Sequence, residues 1–137
     1  MKATPTADVS TPYKDPALPL DVRVEDLLSR MTLAEKAGQM LQLDARGDVE
    51  DLVCGKLAGS LLHASPETMK QTRDLVARTR LQIPLLMADD CIHGHSFWSG
   101  ATIFPTQLGM ACTWDPGLVE RGARAAAHEI AATGLHW

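Results

Sequence analysis

The run Pro84-Leu85-Leu86-Met87-Ala88-Asp89-Asp90-Cys91-Ile92-His93-Gly94-His95 carries the residues best placed to do chemistry. An apolar strand ending in two carboxylates brings hydrogen-bond acceptors to the rim of a sheet, where α/β proteins place their ligands. A carboxylate offers two oxygens to adjacent hydroxyls, and such charge-assisted bonds are strong. Consecutive strand residues point to opposite sides, so one of Asp89 and Asp90 should face the site, and Asp90 is the choice. The plain alternative is a solvated acid at a strand end. His93 and His95 suggest other chemistry, because His-x-His after a strand can ligate a metal. A catalytic zinc site wants three protein groups plus water, and only two stand here, separated by a glycine. A metal-dependent hydrolase using His93 and His95 is therefore a third-ranked reading. Otherwise His93 shapes the turn after Asp90, and His95 is an exposed loop residue.

Phe97 and Trp98 follow in the same loop, in a chain with only three Trp, two Phe and one Tyr. They either stack on a ligand ring or pack the loop down, with Trp98 the better candidate for ligand contact. Trp114, just before a helix start, reads as core or as a hydrophobic staple. Asp44 ends an earlier apolar run and either reaches the rim or stays a solvated acid. His128-Glu129 lacks the second histidine of a metalloprotease helix. Cys54, Cys91 and Cys112 are odd in number and have no CxxC spacing. They read as reduced thiols.

The elements that must position these residues alternate between strands and helices, which predicts a parallel sheet covered by helices. Strands are expected at Met40 to Leu43, Ala58 to Leu62, Ile83 to Ala88 and Gly109 to Thr113. Asp21 can cap a helix whose Val24, Leu27, Leu28 and Met31 share one face. Thr32-Leu33-Ala34-Glu35 has capping-box spacing for a second helix. A short helix is expected around Val49 to Cys54, and a longer one from Ser65-Pro66 to about Arg80. The last helix is capped by Asp115 and opened by Pro116, lined by Val119, Ala123, Ala126 and Ile130, and ended by Gly134. Residues 1–20, with Pro5, Pro12, Pro16 and Pro19, read as an extended arm before a domain at 21–137.

Composition limits the function. The 137 residues amount to one domain by size, with 45% hydrophobic residues. A formal charge of −4 and a pI near 5.6 leave no basic surface for nucleic acid. No apolar run approaches the ~18 residues that span a bilayer, and no signal peptide is seen at the start, so a cytoplasmic setting is expected. Leu135-His136-Trp137 reads as the opening of another strand. A domain seldom ends on the opening of a buried element, so the chain is expected to be a fragment or one part of a split protein. An open sheet edge would then seek a partner.

Asp90-x-x-His93-Gly94, then Ala101-Thr102-Ile103-Phe104-Pro105, then Trp114-Asp115-Pro116 resemble the N-terminal domain of family 3 glycoside hydrolases, on the β-glucosidase side. Leu27-Leu28-Ser29-Arg30-Met31-Thr32-Leu33-Ala34-Glu35-Lys36 resembles the family's opening helices, and Tyr13-Lys14-Asp15-Pro16 its lead-in. The resemblance implies the first half of a TIM-type barrel, truncated. It implies a retaining β-glucosidase in the full-length parent, with Asp90 as the glycone-binding aspartate. It implies an Asp nucleophile and an acid/base that both lie beyond Trp137, so no catalytic residue is expected here and the isolated chain is expected to be inactive. No cofactor is implied. The expected partners are a β-glucoside or oligosaccharide and the remainder of the barrel. The competing reading is a non-catalytic half-barrel or split-enzyme subunit that completes its sheet with a partner.

Overall fold

The computed structural model describes residues 11–137. Pro5 and the first half of the expected arm lie outside the described residues. Two compact units are formed, one up to Lys36 and the other Ala37–Trp137.

In the first unit a 3-10 turn at Pro12–Lys14 precedes α1, Leu20–Arg30. Asp26 is the anchor between them. Its carboxylate accepts the Tyr13 N–H at 3.1 Å and the Arg30 guanidinium at 2.9 Å, while Arg23 Nε donates to the Tyr13 carbonyl. The Arg30 bond holds the Asp26 carboxyl below its ordinary value. Asp21 is not the cap expected of it. Pro19 occupies that position, and Asp21 lies in the first turn, where a negative charge favours the helix dipole. The capping box forms as its spacing predicts: Thr32 Oγ1 accepts the Glu35 N–H, and the Glu35 carboxylate accepts the Thr32 N–H. It opens α2, Leu33–Gln39.

In the second unit three short parallel strands form a sheet in the order β1 (Gln42–Asp44), β2 (Ser60–Leu62), β3 (Leu86–Ala88). Each lies within or one residue past an expected run. The register aligns Leu43, Leu61 and Met87 as one row, with Asp44, Leu62 and Ala88 forming the next. The Leu43–Leu61–Met87 row packs on Leu52 and Val53 from a π-type turn at Asp51–Gly55 and on Leu75 from α3, Pro66–Arg78. That turn stands where a short helix was expected. Leu61 is completely inaccessible. Gly59 leads into β2 where its backbone meets the end of α2, and a Cβ there would lie 2.2 Å from the Gln39 carbonyl oxygen.

Capping side chains set the later helices. Ser65 accepts the Thr68 N–H at the start of α3. Asp115 accepts the Leu118 N–H and Pro116 begins α5, Pro116–Ala132, which closes at Gly134 in the left-handed region with φ of 90°. The buried stripe of α5 runs through Gly122 and Ala126 with Val119 and Ile130 partly covered; Ala123, expected on it, is exposed. Gly122 lies against the Phe104 ring, 3.4 Å from where its Cβ would be, an ordinary packing distance.

The expected strand Gly109 to Thr113 is instead a helix, α4, Gln107–Ala111. Thr106 decides it: its hydroxyl accepts the Gly109 N–H and caps the turn. Trp114, expected in the core, is 93% exposed, because the α4–α5 turn places it in the left-handed region with φ of 53°. Leu135 is buried, and beyond it His136 N–H donates to the Met87 carbonyl and Asp89 N–H to that of Trp137. These two bonds run along β3, while residues 135–137 form no regular strand.

Leu61 is the test of this packing. Leu61→Ala should destabilise the protein by about 2–5 kcal/mol, read as a lower urea midpoint at unchanged slope. A midpoint equal to that of the unsubstituted protein would show that the row does not form the core.

Candidate functional site

The carboxyl ends of β1, β2 and β3 lie on one rim because their register is even. The next residues of β2 and β3 are His63 and Asp89, and His63 N–H continues the ladder to the Ala88 carbonyl. His63 adopts φ of 60°, a left-handed conformation that swings its ring across the rim. Its Nδ1 lies 2.8 Å from Asp89 Oδ1, and its Nε2 lies 3.7 Å from Asp90 Oδ2. The Asp89 side chain is only 6% exposed and that of Asp90 is 56% exposed. Asp89 Oδ1 also accepts the backbone N–H of Asp90 at 2.8 Å. One buried oxygen thus serves the ring beside Asp90 and the backbone that carries it.

Sequence reasoning passed over His63. The rule that selected Asp90, a polar residue just past an apolar strand, applies equally to Leu61-Leu62-His63. Asp44 ends β1 and is held in a fork by the Arg46 guanidinium, with Nε bonds of 2.9 and 3.0 Å. That pairing pushes the Asp44 carboxyl far below its ordinary value.

The loop 91–104 closes on itself at a narrow neck. Phe104 N–H donates to the His93 carbonyl, His93 Nδ1 bonds the Phe104 carbonyl at 2.8 Å, and Gly94 bridges Ile103. Gly94 has φ of 127°, and a Cβ there would lie 2.2 Å from the Thr102 carbonyl oxygen, so the neck admits only glycine. Thr102 then ties the loop to α5, donating its N–H and hydroxyl to the Glu129 carboxylate at 2.8 and 2.7 Å. Those bonds hold the Glu129 carboxyl below its ordinary value.

His95, expected to be exposed, is 3% exposed. The Thr133 hydroxyl donates to the Ile130 carbonyl, so its oxygen must accept from His95 Nε2–H at 3.2 Å. His95 Nδ1 is then an acceptor, and Cys91 S–H donates to it across 3.4 Å. Burial, with Asp89 and Asp90 nearby, pushes the Cys91 thiol up to about 11 and keeps that proton in place. Both His95 nitrogens are committed, so the pairing of His93 and His95 as metal ligands does not form. Among the described residues no three His, Cys, Asp or Glu side chains converge on one point. No helix among them is long and apolar enough to cross a membrane.

A cleft of about 230 Å³ opens on this rim, lined by Arg46, His63, Asp89, His95, Phe97 and Trp98 among others. Full ligand pockets run to ~300–1,000 Å³, so this one has the size of a single wall. The Phe97 ring tilts against His63 at 5.4 Å and Trp98 stacks near His95 at 6.0 Å, leaving both aromatics anchored yet exposed. The acid that lines this cleft is Asp89; Asp90 is not among its lining residues and meets it only through His63.

Residues 32–137 match the model of the glycosyl hydrolase family 3 N-terminal domain. The chain belongs to this family. Beta-glucosidase C of Emericella nidulans is 34% identical over 148 residues, covering 90% of this chain and 24% of the relative. The periplasmic beta-glucosidase of Salmonella typhimurium is 32% identical over 123 residues, covering 85% and 15%. Among solved structures, a β-glucosidase involved in saponin metabolism from intestinal bacteria is 60% identical, with a TM-score of 0.68 over 84% of this chain and 15% of that one. The exo-1,3/1,4-beta-glucanase ExoP from a Pseudoalteromonas species gives a TM-score of 0.76 at 28% identity, over 90% and 17%. The chain therefore spans a quarter or less of the length of these relatives. Its α/β sheet is the first part of the family's TIM-type barrel, as its sequence predicts.

The Cys91 network sets a reactivity order. At pH 8 a thiol at about 11 holds about a hundredfold less thiolate than one at the ordinary 9.0. Iodoacetamide should label exposed Cys112 well before Cys91, read by peptide mass spectrometry. Labelling of Cys91 first would show that burial and the neighbouring carboxylates do not hold its proton.

Proposed function

We propose that this chain works within a β-glucosidase that removes terminal β-linked glucose with retention, and that it supplies one side of the glycone subsite. The observation that carries the reading is Asp90: an exposed carboxylate just past β3, at the carboxyl end of the sheet and in the family's segment. β3 ends at Ala88, and Asp90 stands two residues past it with its carboxylate exposed. There a carboxylate can accept from two neighbouring sugar hydroxyls. Phe97 and Trp98 then offer apolar faces to the ring or the aglycone, and His93 holds the turn between them and Asp90.

Retaining hydrolysis runs in two displacements. A carboxylate forms a bond to the anomeric carbon as the protonated glycosidic oxygen leaves, and water then breaks that bond. The two carboxyl groups stand ~5 Å apart. In this reading both come from polypeptide beyond Trp137, and Asp90 orients the sugar between them. The support is the naming of several relatives as β-glucosidases. The saponin link of the 60% identical structure puts large apolar aglycones among the substrates to try.

Asp90→Ala in the full-length protein should lower kcat/KM for p-nitrophenyl β-D-glucoside about 10- to 100-fold without moving the melting temperature. Unchanged kinetic constants would remove Asp90 from the pocket.

A further inference from the structure

His63 and Asp89 take no part in the reading above, yet they are the groups that touch Asp90. Asp89 Oδ1 is buried and accepts two bonds, from His63 Nδ1–H and from the Asp90 N–H. A carboxylate that accepts at Nδ1 fixes the plane of the ring, and Nε2 donates toward a second carboxylate only in the imidazolium, where both nitrogens carry protons. The plane so fixed turns Nε2 toward the Asp90 carboxylate, 3.7 Å away. Phe97 closes the ring's other side at 5.4 Å. His63 reaches this place only by adopting φ of 60°, which costs a non-glycine side chain energy unless the surroundings hold it. The chain therefore spends a strained residue and a buried acid on one exposed carboxylate.

We infer that Asp89 and His63, the latter as the imidazolium, form a positioning pair for Asp90: Asp89 sets its backbone, and the Nε2–H of His63 sets the orientation of its carboxylate. The inference rests on the sugar-binding reading of Asp90. It predicts that the effect of His63 on substrate binding runs chiefly through Asp90, so that it vanishes when Asp90 is removed.

The test is a double-substitution cycle in the full-length protein, with p-nitrophenyl β-D-glucoside as substrate. His63→Asn suits it, because asparagine tolerates a left-handed backbone and its amide can still donate to Asp89. It removes the nitrogen that faces Asp90 together with the ring face against Phe97, and the Asp90→Ala background separates the two. KM should rise about tenfold with kcat changed far less and the melting temperature unmoved. In an Asp90→Ala background the same substitution should change nothing further. His63→Gln, whose longer amide can reach the Nε2 position, should recover most of the lost affinity. A fall in melting temperature with equal effects in both backgrounds would show His63 to be structural only and overturn the inference. So would a KM left unchanged by His63→Asn while Asp90→Ala raises it. If Asp90→Ala itself leaves KM unchanged, or the unsubstituted protein does not hydrolyse the glucoside, the sugar-binding reading fails and takes this inference with it.

Discussion

The register that places Asp44, Leu62 and Ala88 on one line is the constraint on which the site depends. It is held by the row above, where Leu61 has no solvent exposure between Leu43 and Met87. A slip of one residue would turn every side chain to the other face, exposing Leu61 and burying Ser60 or Leu62 in its place. The same slip would carry His63 away from Asp89. The ladder continues one step past the strands, through Ala45 N–H to the Leu62 carbonyl and His63 N–H to that of Ala88. Polar groups that approach within hydrogen-bond distance at the rim are thus placed by apolar packing below it.

A second set of tethers fixes the loop that borders the rim. Thr102 is held by Glu129, and His95 lies between Cys91 and Thr133. Glu129 lies on α5 and Thr133 on the turn after it, so the loop moves with that helix. Burying a histidine and an aspartate without partners would cost several kcal/mol. Among the described residues no buried side-chain nitrogen or oxygen lacks a partner. The polar interior of this region is fully satisfied, which lets Phe97 and Trp98 stay exposed on a rigid base.

Local rules were the legible part of the sequence. Thr32 with Glu35, Ser65 with Pro66, and Asp115 with Pro116 each form the cap their types and spacing predict. The three strands were readable as apolar runs, and the family as a spaced set of motifs. Gly109 to Thr113 was not, because five mostly apolar residues fit a buried strand and a helix turn equally well. The deciding bond comes from Thr106, outside the run. His95 was misplaced for a related reason. Its burial depends on Thr133, 38 residues away, and no pattern local to the loop encodes that contact. Trp114 shows the reverse case, a large aromatic whose exposure follows from one left-handed backbone angle.

The division of labour at the rim follows from which lone pairs are already used. A retaining reaction needs one carboxyl group free to attack and a second free to give and take a proton. Asp89 meets neither need, since its Oδ1 is engaged twice and its side chain is closed off from solvent. Asp44 is gripped by Arg46, and Glu129 by Thr102. Asp90 alone of these four presents an open carboxylate, and one carboxylate can bind a sugar but cannot run both displacements. On the proposed reading, the acids around the sheet organise a binding wall, and the reacting groups come from elsewhere in the full-length protein.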